Sequence, residues 1–350
     1  MLCLPAEAIL DVFKFLNYEQ LCSVKQTNFC LHDFINYFQE ELAKEKLCQI
    51  YIQYLEQYKH PHKLIKLEGR PLDFTLNEQL EEKFKNGLEK PISVYLPKQD
   101  PSKTLVVCVT KVFRNAHHIL LQLPTIIKSK EDLKIVYYYL NKLVFNCSFD
   151  YGEINEFVFN QELLQLLFGN AKTPKRVYIH CCQIKIMEHT MQNSLQFILN
   201  NLSSGNLHTS LRLYQDIIEK YKDILFEILT NGGDNFKEIS FEFFNCSVNV
   251  VDSINVVLLY ENIVEYIATS KDCSKIVSFI ELAFRSSTNL KLSEGAEKVE
   301  IKQLDGGGEC TRYQLANIYY PKLKFSFSTR EKPRIRGVGV ANVLIGKIKE

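Results

Sequence analysis

At residues 60–62 the sequence reads His-Pro-His, and the hydrophobic pattern differs in kind on its two sides. Proline restricts the residue before it and rarely continues a helix, so a boundary is expected there. Before it, apolar residues recur at helical spacing. After it, short alternating runs and helical stripes take turns. The pattern predicts α/β overall: a small helical piece, then a longer region in which strands and helices alternate.

In the helical piece, Pro5 suits the first turn of a helix, where its missing N–H is not needed. Ile9, Val12, Phe13 and Leu16 then share one helical face. Asn17, with Gln20 three positions on, has the form of a capping box opening a second short helix with Leu21 and Val24 on its buried side. A third stripe runs through Leu31, Phe34, Ile35, Phe38 and Leu42. Its continuation through Leu47, Ile50, Tyr51 and Leu55 gives residues 43–62 the reading of a helical linker.

Beyond the boundary, Thr75 and Glu78 form a second capping box ahead of Leu80, Phe84 and Leu88. ISVYL and TLVVCVT read as strands, and Ser129 opens a helix with Leu133, Val136, Tyr137, Leu140 and Val144 on one face. FVF leads into NQELLQLLFG, a helix ended by Gly169. VYIHC precedes a helix with Leu195, Ile198, Leu199 and Leu202 before Gly205. LHTSLRLY precedes one with Ile217, Ile218, Tyr221, Leu225, Ile228 and Leu229 up to Gly232 and Gly233; ISFEFF starts the next unit. Strand starts near Val177, Leu211 and Ile239 lie roughly 30 residues apart, a solenoid-like, leucine-rich-repeat-like period without the asparagine ladder of that repeat. From residue 289 the pattern is mostly extended, so 289–350 is expected to be a β-rich cap on an irregular repeat-like region, 63–288.

Composition excludes more than it assigns. A net charge of +1 over 350 residues supplies no general field for nucleic acid or an acidic membrane. Glu7 and Asp11 interrupt the first apolar run, which lacks the basic start of a leader. The longest uncharged apolar runs, Ile119 to Ile127 and Ser253 to Tyr260, are too short to span a bilayer. A cytoplasmic or nuclear protein is the expectation. The eleven cysteines are odd in number and form no CxxC, so they read as reduced thiols.

Tempting sites do not assemble. Cys181 and Cys182 are adjacent and face opposite ways in a strand, so with His180 and His189 they make neither a metal site nor a nucleophile with its base. His60, His62, His117 and His118 lack metal spacing. Gly306, Gly307 and Gly308 lack the GK[ST] helix of a phosphate loop and read as a turn. Lys332, Arg334 and Arg336 form a basic cluster that reads as a solvated edge, and Tyr137, Tyr138 and Tyr139 read as a helix with one or two core aromatics and the rest exposed. No catalytic residue, cofactor or metal is expected.

One stretch, LPAEAILDVFKFLNYEQLCSVKQTNFCLHDFI, resembles an F-box. That family pattern begins with Leu-Pro, an acidic position and an apolar helix ending in Phe-x-x-Leu, followed by a leucine-rich second helix. Leu4, Pro5, Glu7, Ile9, Leu10, Val12, Phe13 and Leu16 match the first part. Leu21 and Val24 match the second, and Leu31, Phe34 and Ile35 the third; Gln26 and Phe29 depart from the pattern. The resemblance covers about a tenth of the chain, and the remainder looks, more loosely, like the long divergent regions of nematode F-box proteins. It implies an F-box at residues 1–42 that binds a Skp-type adaptor through Leu4, Pro5, Ile9, Val12, Phe13, Leu16, Leu21, Val24, Leu31, Phe34 and Ile35. Through that adaptor the chain would reach a cullin, as the non-catalytic substrate receptor of an SCF-type ubiquitin ligase, with its carboxy-terminal region holding a target protein. The rival classes are a scaffold outside any active ligase and a hydrolase using Cys181 or Cys182.

Overall fold

The structure, a computed structural model, describes residues 4–39, 41–66, 82, 90–97, 100, 102–111, 117–169, 175–213, 217–245, 251–286, 290–304, 308–331 and 339–348. It is α/β, with two compact units. The first comprises Met1–Val94, Asp100–Gly152 and Glu162–His180; the second comprises Tyr95–Gln99, Glu153–Gln161 and Cys181–Glu350. Among the described residues the elements run α1 (Ala6–Lys14), α2 (Tyr18–Lys25), α3 (Phe29–Tyr37), β1 (Glu45–Tyr54), β2 (His62–Lys66), β3 (Ile92–Ser93), β4 (Tyr95–Leu96), β5 (Leu105–Thr110), β6 (His118–Gln122), β7 (Ile126–Ile127), α4 (Lys130–Leu140) and β8 (Cys147–Ile154). They continue as β9 (Val158–Phe159), α5 (Gln161–Phe168), β10 (Val177–Met187), α6 (Met191–Asn201), β11 (Leu202–Leu213), α7 (Ile217–Asn231), β12 (Phe236–Asn245), α8 (Val251–Thr269), β13 (Phe279–Ser286), β14 (Glu297–Gln303), β15 (Glu309–Ala316), β16 (Lys324–Glu331) and β17 (Gly339–Lys347).

In the first unit the sheet order is β8-β1-β5-β6-β2. β1 lies antiparallel to β5 and β5 to β6, while β2 closes the edge parallel to β6. The helical linker expected at 43–62 is therefore corrected: residues 45–54 are a strand. Leu47, Ile50 and Tyr51 fit a helical stripe, but in β1 Tyr51 is only half-buried, and Ile50, Ile52 and Tyr54 are buried at a spacing of two, with Leu47 buried nearer the strand's start. Pairing with β5 decided between the two readings. Ser129 caps α4 as expected, its hydroxyl accepting from Asp132 N while Asp132 reaches back to Ser129 N. Leu133, Val136, Leu140 and Val144 are buried. Tyr137, Tyr138 and Tyr139 are all half-buried, a correction to the expected split into core and exposed rings. Tyr137 stacks on Phe168 of α5, and Tyr138 carries the Lys142 ammonium over its ring.

In the second unit the order is β14-β15-β16-β17-β13-β12-β11-β10. β11, β12 and β13 are parallel neighbours, with α7 and α8 as the crossovers between them. β13 then pairs antiparallel with β17, and β17, β16, β15 and β14 follow as an antiparallel run. The β-rich carboxy-terminal end is thus present. α7 buries Tyr221, Leu225, Ile228 and Leu229, and its Phe226 meets Tyr266 of α8 edge-on. At its end Gly233 is closely approached: a Cβ there would lie 2.7 Å from the carbonyl oxygens of Lys275 and Ile276. Gly205, expected to follow a helix, lies inside β11, which begins at Leu202.

In a solenoid each strand neighbours the next in sequence. β11, β12 and β13 do so; β2 beside β6 and β1 beside β5 do not, so the period does not extend through the first unit. Apart from Glu82, the helix expected from Thr75 to Leu88 lies outside the described residues. So do Lys332, Arg334 and Arg336, and Gly306 and Gly307 of the glycine turn.

Candidate functional site

Two of the trio's three helix starts are capped by a neighbouring side chain, whereas α1 begins after Pro5 with none. The Asn17 side chain accepts from Gln20 N at 2.9 Å and the Gln20 side chain accepts from Asn17 N at 2.9 Å, the reciprocal cap read in the sequence. Asn28, not singled out in the sequence, caps α3 by accepting from Leu31 N at 2.9 Å. Leu10, Phe13, Leu21, Ile35 and Leu42 form the trio's buried core, with Ile9, Leu16, Val24, Leu31, Phe34 and Phe38 packed half-buried around it. The segment that follows α3 is tied to the rest of its unit by polar contacts: Asn146 Nδ2 donates to Gln39 Oε1 at 3.3 Å, and Lys44 Nζ donates to Phe145 O at 2.9 Å. Burial pushes the Tyr18 hydroxyl above its ordinary range, and its hydrogen bond with Cys22 adds to that.

The eleven expected contact residues thus divide. Phe13, Leu21 and Ile35 are interior and set the relative placement of the helices. Ile9, Leu16, Val24, Leu31 and Phe34 are half-buried, while Leu4, Pro5 and Val12 lie open to solvent. Sequence reasoning left out the two most exposed aromatics of the trio, Phe15 at 89% and Phe29 at 84%. Phe29 is one of the two departures from the family pattern. The missing signal was one of angle: Phe15 stands outside the Ile9-Val12-Phe13-Leu16 face, and an apolar residue off the buried face of a short helix points outward.

A second constellation is one that sequence spacing hid. Parallel pairing of β2 with β6 sets His62 opposite His118. The rings of His60, His62 and His118 surround Tyr58, with centroids 5.7, 5.3 and 5.6 Å from it. His60 stacks on His118 at 5.6 Å, and Thr110 Oγ1 lies 3.0 Å from His118 Nδ1. Partial burial, then the neighbouring His60 and His62, hold His118 below the usual imidazole range. Tyr58 also packs half-buried against Val106, Cys108 and Leu120. Among the described residues no group of three or more His, Cys, Asp or Glu has the arrangement of a metal site.

On β10 Cys182 is fully buried and Cys181 half-buried, as their adjacency in a strand requires; burial drives the Cys182 thiol far up. His180 and His189 are exposed. No described helix is long and apolar enough to cross a membrane.

Comparison with known proteins gives one match. A family described as a domain of unknown function, DUF8381, matches residues 65–212, less than half of the chain, and leaves α1, α2 and α3 outside it. No curated protein and no solved structure matches the chain.

Proposed function

We propose that this chain is the substrate-recognising subunit of an SCF-type ubiquitin ligase, with α1, α2 and α3 as its F-box. The observation that carries the reading is that the trio has a core of its own and still presents Leu4, Val12, Phe15 and Phe29 to solvent. Several large apolar side chains left exposed on so small a helical unit are what a partner's surface would cover. A Skp-type adaptor is the partner that the Leu-Pro start and the order of the helices suggest. The rest of the chain then serves as the arm that holds a target protein, with the strand–helix succession from β11 to β13 as a repeat-like face. Its role is geometric: it raises the effective concentration of the target near a charged ubiquitin-conjugating enzyme and contributes no catalytic side chain. The chain would act where that ligase acts, in the cytoplasm or nucleus.

The test is calorimetry of the full chain with purified Skp adaptor, followed by size-exclusion chromatography with adaptor and cullin together. A stoichiometric complex is expected. Absence of heat and of co-elution would sink the reading, and adaptor binding without entry into a cullin complex would favour the scaffold class.

A further inference from the structure

The hairpin joining β15 to β16 ends in Asn-Ile-Tyr-Tyr-Pro, and Ile318, Tyr319 and Tyr320 are 62%, 50% and 54% exposed. Three consecutive large apolar side chains at a turn are unusual, because turns are ordinarily built of small and polar residues. The tip is nonetheless rigidly held. Asn317 is only 1% exposed and uses the full capacity of its side-chain amide. Its Nδ2 donates to Ile267 O at 2.8 Å and Ser270 O at 2.9 Å, and its Oδ1 accepts from Tyr319 N at 2.9 Å and Tyr320 N at 3.0 Å. Ile318 N donates to Ala268 O at 2.9 Å, and Leu323 N to Tyr320 O at 2.8 Å. The tip is thereby fastened to the carboxy-terminal end of α8. Pre-ordered backbone lowers the entropy lost on binding, and tyrosine gives large contact area with few rotors.

The charge around the tip names its partner. Lys271 places its ammonium 5.6 Å from the centre of the Tyr319 ring, and Lys322 is exposed two residues beyond Tyr320. The nearby Asp272 carboxylate accepts from Ser274 N at 2.9 Å and keeps its negative charge, which Lys275 offsets; Lys324 is paired with Glu297 at 2.9 Å. The tip is an aromatic platform on whose rim Lys271 and Lys322 are the cations left over. We infer that the Ile318-Tyr319-Tyr320 tip is a docking surface for an acidic, aromatic-bearing segment of a protein partner. Each side chain keeps about half its surface against the molecule, which suits a flat protein contact better than a spike driven into lipid. The identification of that partner as the ligase target rests on the function proposed above; the binding itself does not.

The probe is a fluorescein-labelled glutamate–tyrosine copolymer, titrated by anisotropy into the full chain with no adaptor present. A lysine–tyrosine copolymer and vesicles of phosphatidylcholine with phosphatidylserine are run beside it. Saturable binding of the acidic copolymer alone is expected. It should weaken at least about tenfold when Tyr319→Ser and Tyr320→Ser are combined, and similarly for Lys271→Glu with Lys322→Glu. Thermal melting of both variants should match the parent, and both should bind Skp adaptor as the parent does. Absence of acidic-copolymer binding, equal binding of both copolymers, or binding unchanged in folded tip variants overturns the inference. So does tip-dependent sedimentation with vesicles, which would make lipid the ligand. Loss of adaptor binding by the parent would count against the ligase reading alone.

Discussion

The Phe13 ring stands edge-on to the Phe34 ring with centroids 5.7 Å apart, and this contact joins α1 to α3. Phe15, two residues on, touches none of that core and lies almost wholly in water. The two phenylalanines should therefore separate folding from binding. Phe13→Ala is expected to cost about 3 kcal/mol or more of stability, as truncation of a buried aromatic does. Phe15→Ala should leave the melting curve nearly unchanged and weaken the adaptor complex by about 2 kcal/mol, roughly thirtyfold, by calorimetry. Leu4→Ala with Pro5→Ala should behave like Phe15→Ala. Unaltered affinity in both folded variants would remove these residues from the interface.

The histidine cluster makes stability depend on pH. His118 is held below its ordinary value of 6.5, so folding favours its neutral form. The contribution is fully present above that value and is lost as pH falls through it towards the lower folded value, because the unfolded chain takes up the proton first. Urea midpoints measured from pH 7.5 down to 5 should decline, and His118→Gln should flatten the decline. An unchanged slope in that variant would assign the pH dependence to other groups.

The two adjacent thiols should differ sharply. Iodoacetamide on the native chain is expected to modify Cys181 and spare Cys182, whose thiol is buried and driven up; mass spectrometry of the peptide decides it. Cys182→Ser should destabilise by about 1 to 3 kcal/mol, the cost of burying an unsatisfied hydroxyl, and Cys181→Ser by much less. Ubiquitination of a target in a reconstituted ligase should survive the double change in folded protein. Its complete loss would revive the hydrolase class.

Where the trio can be cut follows from β1. A fragment ending near Tyr58 carries β1 away from β5 and β8 and leaves both its edges unpaired. Co-expressed with Skp adaptor, that fragment should aggregate, while one ending near Ala43 should co-purify with the adaptor. Equal solubility of the two would show that β1 tolerates separation from its sheet.

Features closed within one turn of chain were legible without a structure. The reciprocal cap of Asn17 and Gln20, the Ser129 start of α4 and the Gly169 end of α5 each depend on residues at most four positions apart. The apolar faces of the trio were legible too, but its outward members were not, because spacing fixes a face and only packing shows which face is covered. β1 was misread because Leu47, Ile50, Tyr51 and Leu55 satisfy a helical period, and the partner that made it a strand lies beyond residue 100. α8 was seen only as an apolar run. Its buried side, Val256, Leu259, Tyr260, Ile263 and Ile267, has exposed Leu258 beside it, so no clean stripe marks it as a helix. His60 and His118 lie far apart in sequence and meet because β2 takes the free edge of β6. Asn317 looks like any turn asparagine until the end of α8 arrives beneath it. Local hydrogen bonds and periodicity are written residue by residue, whereas a strand's neighbour and a side chain's exposure depend on which distant segments complete the packing.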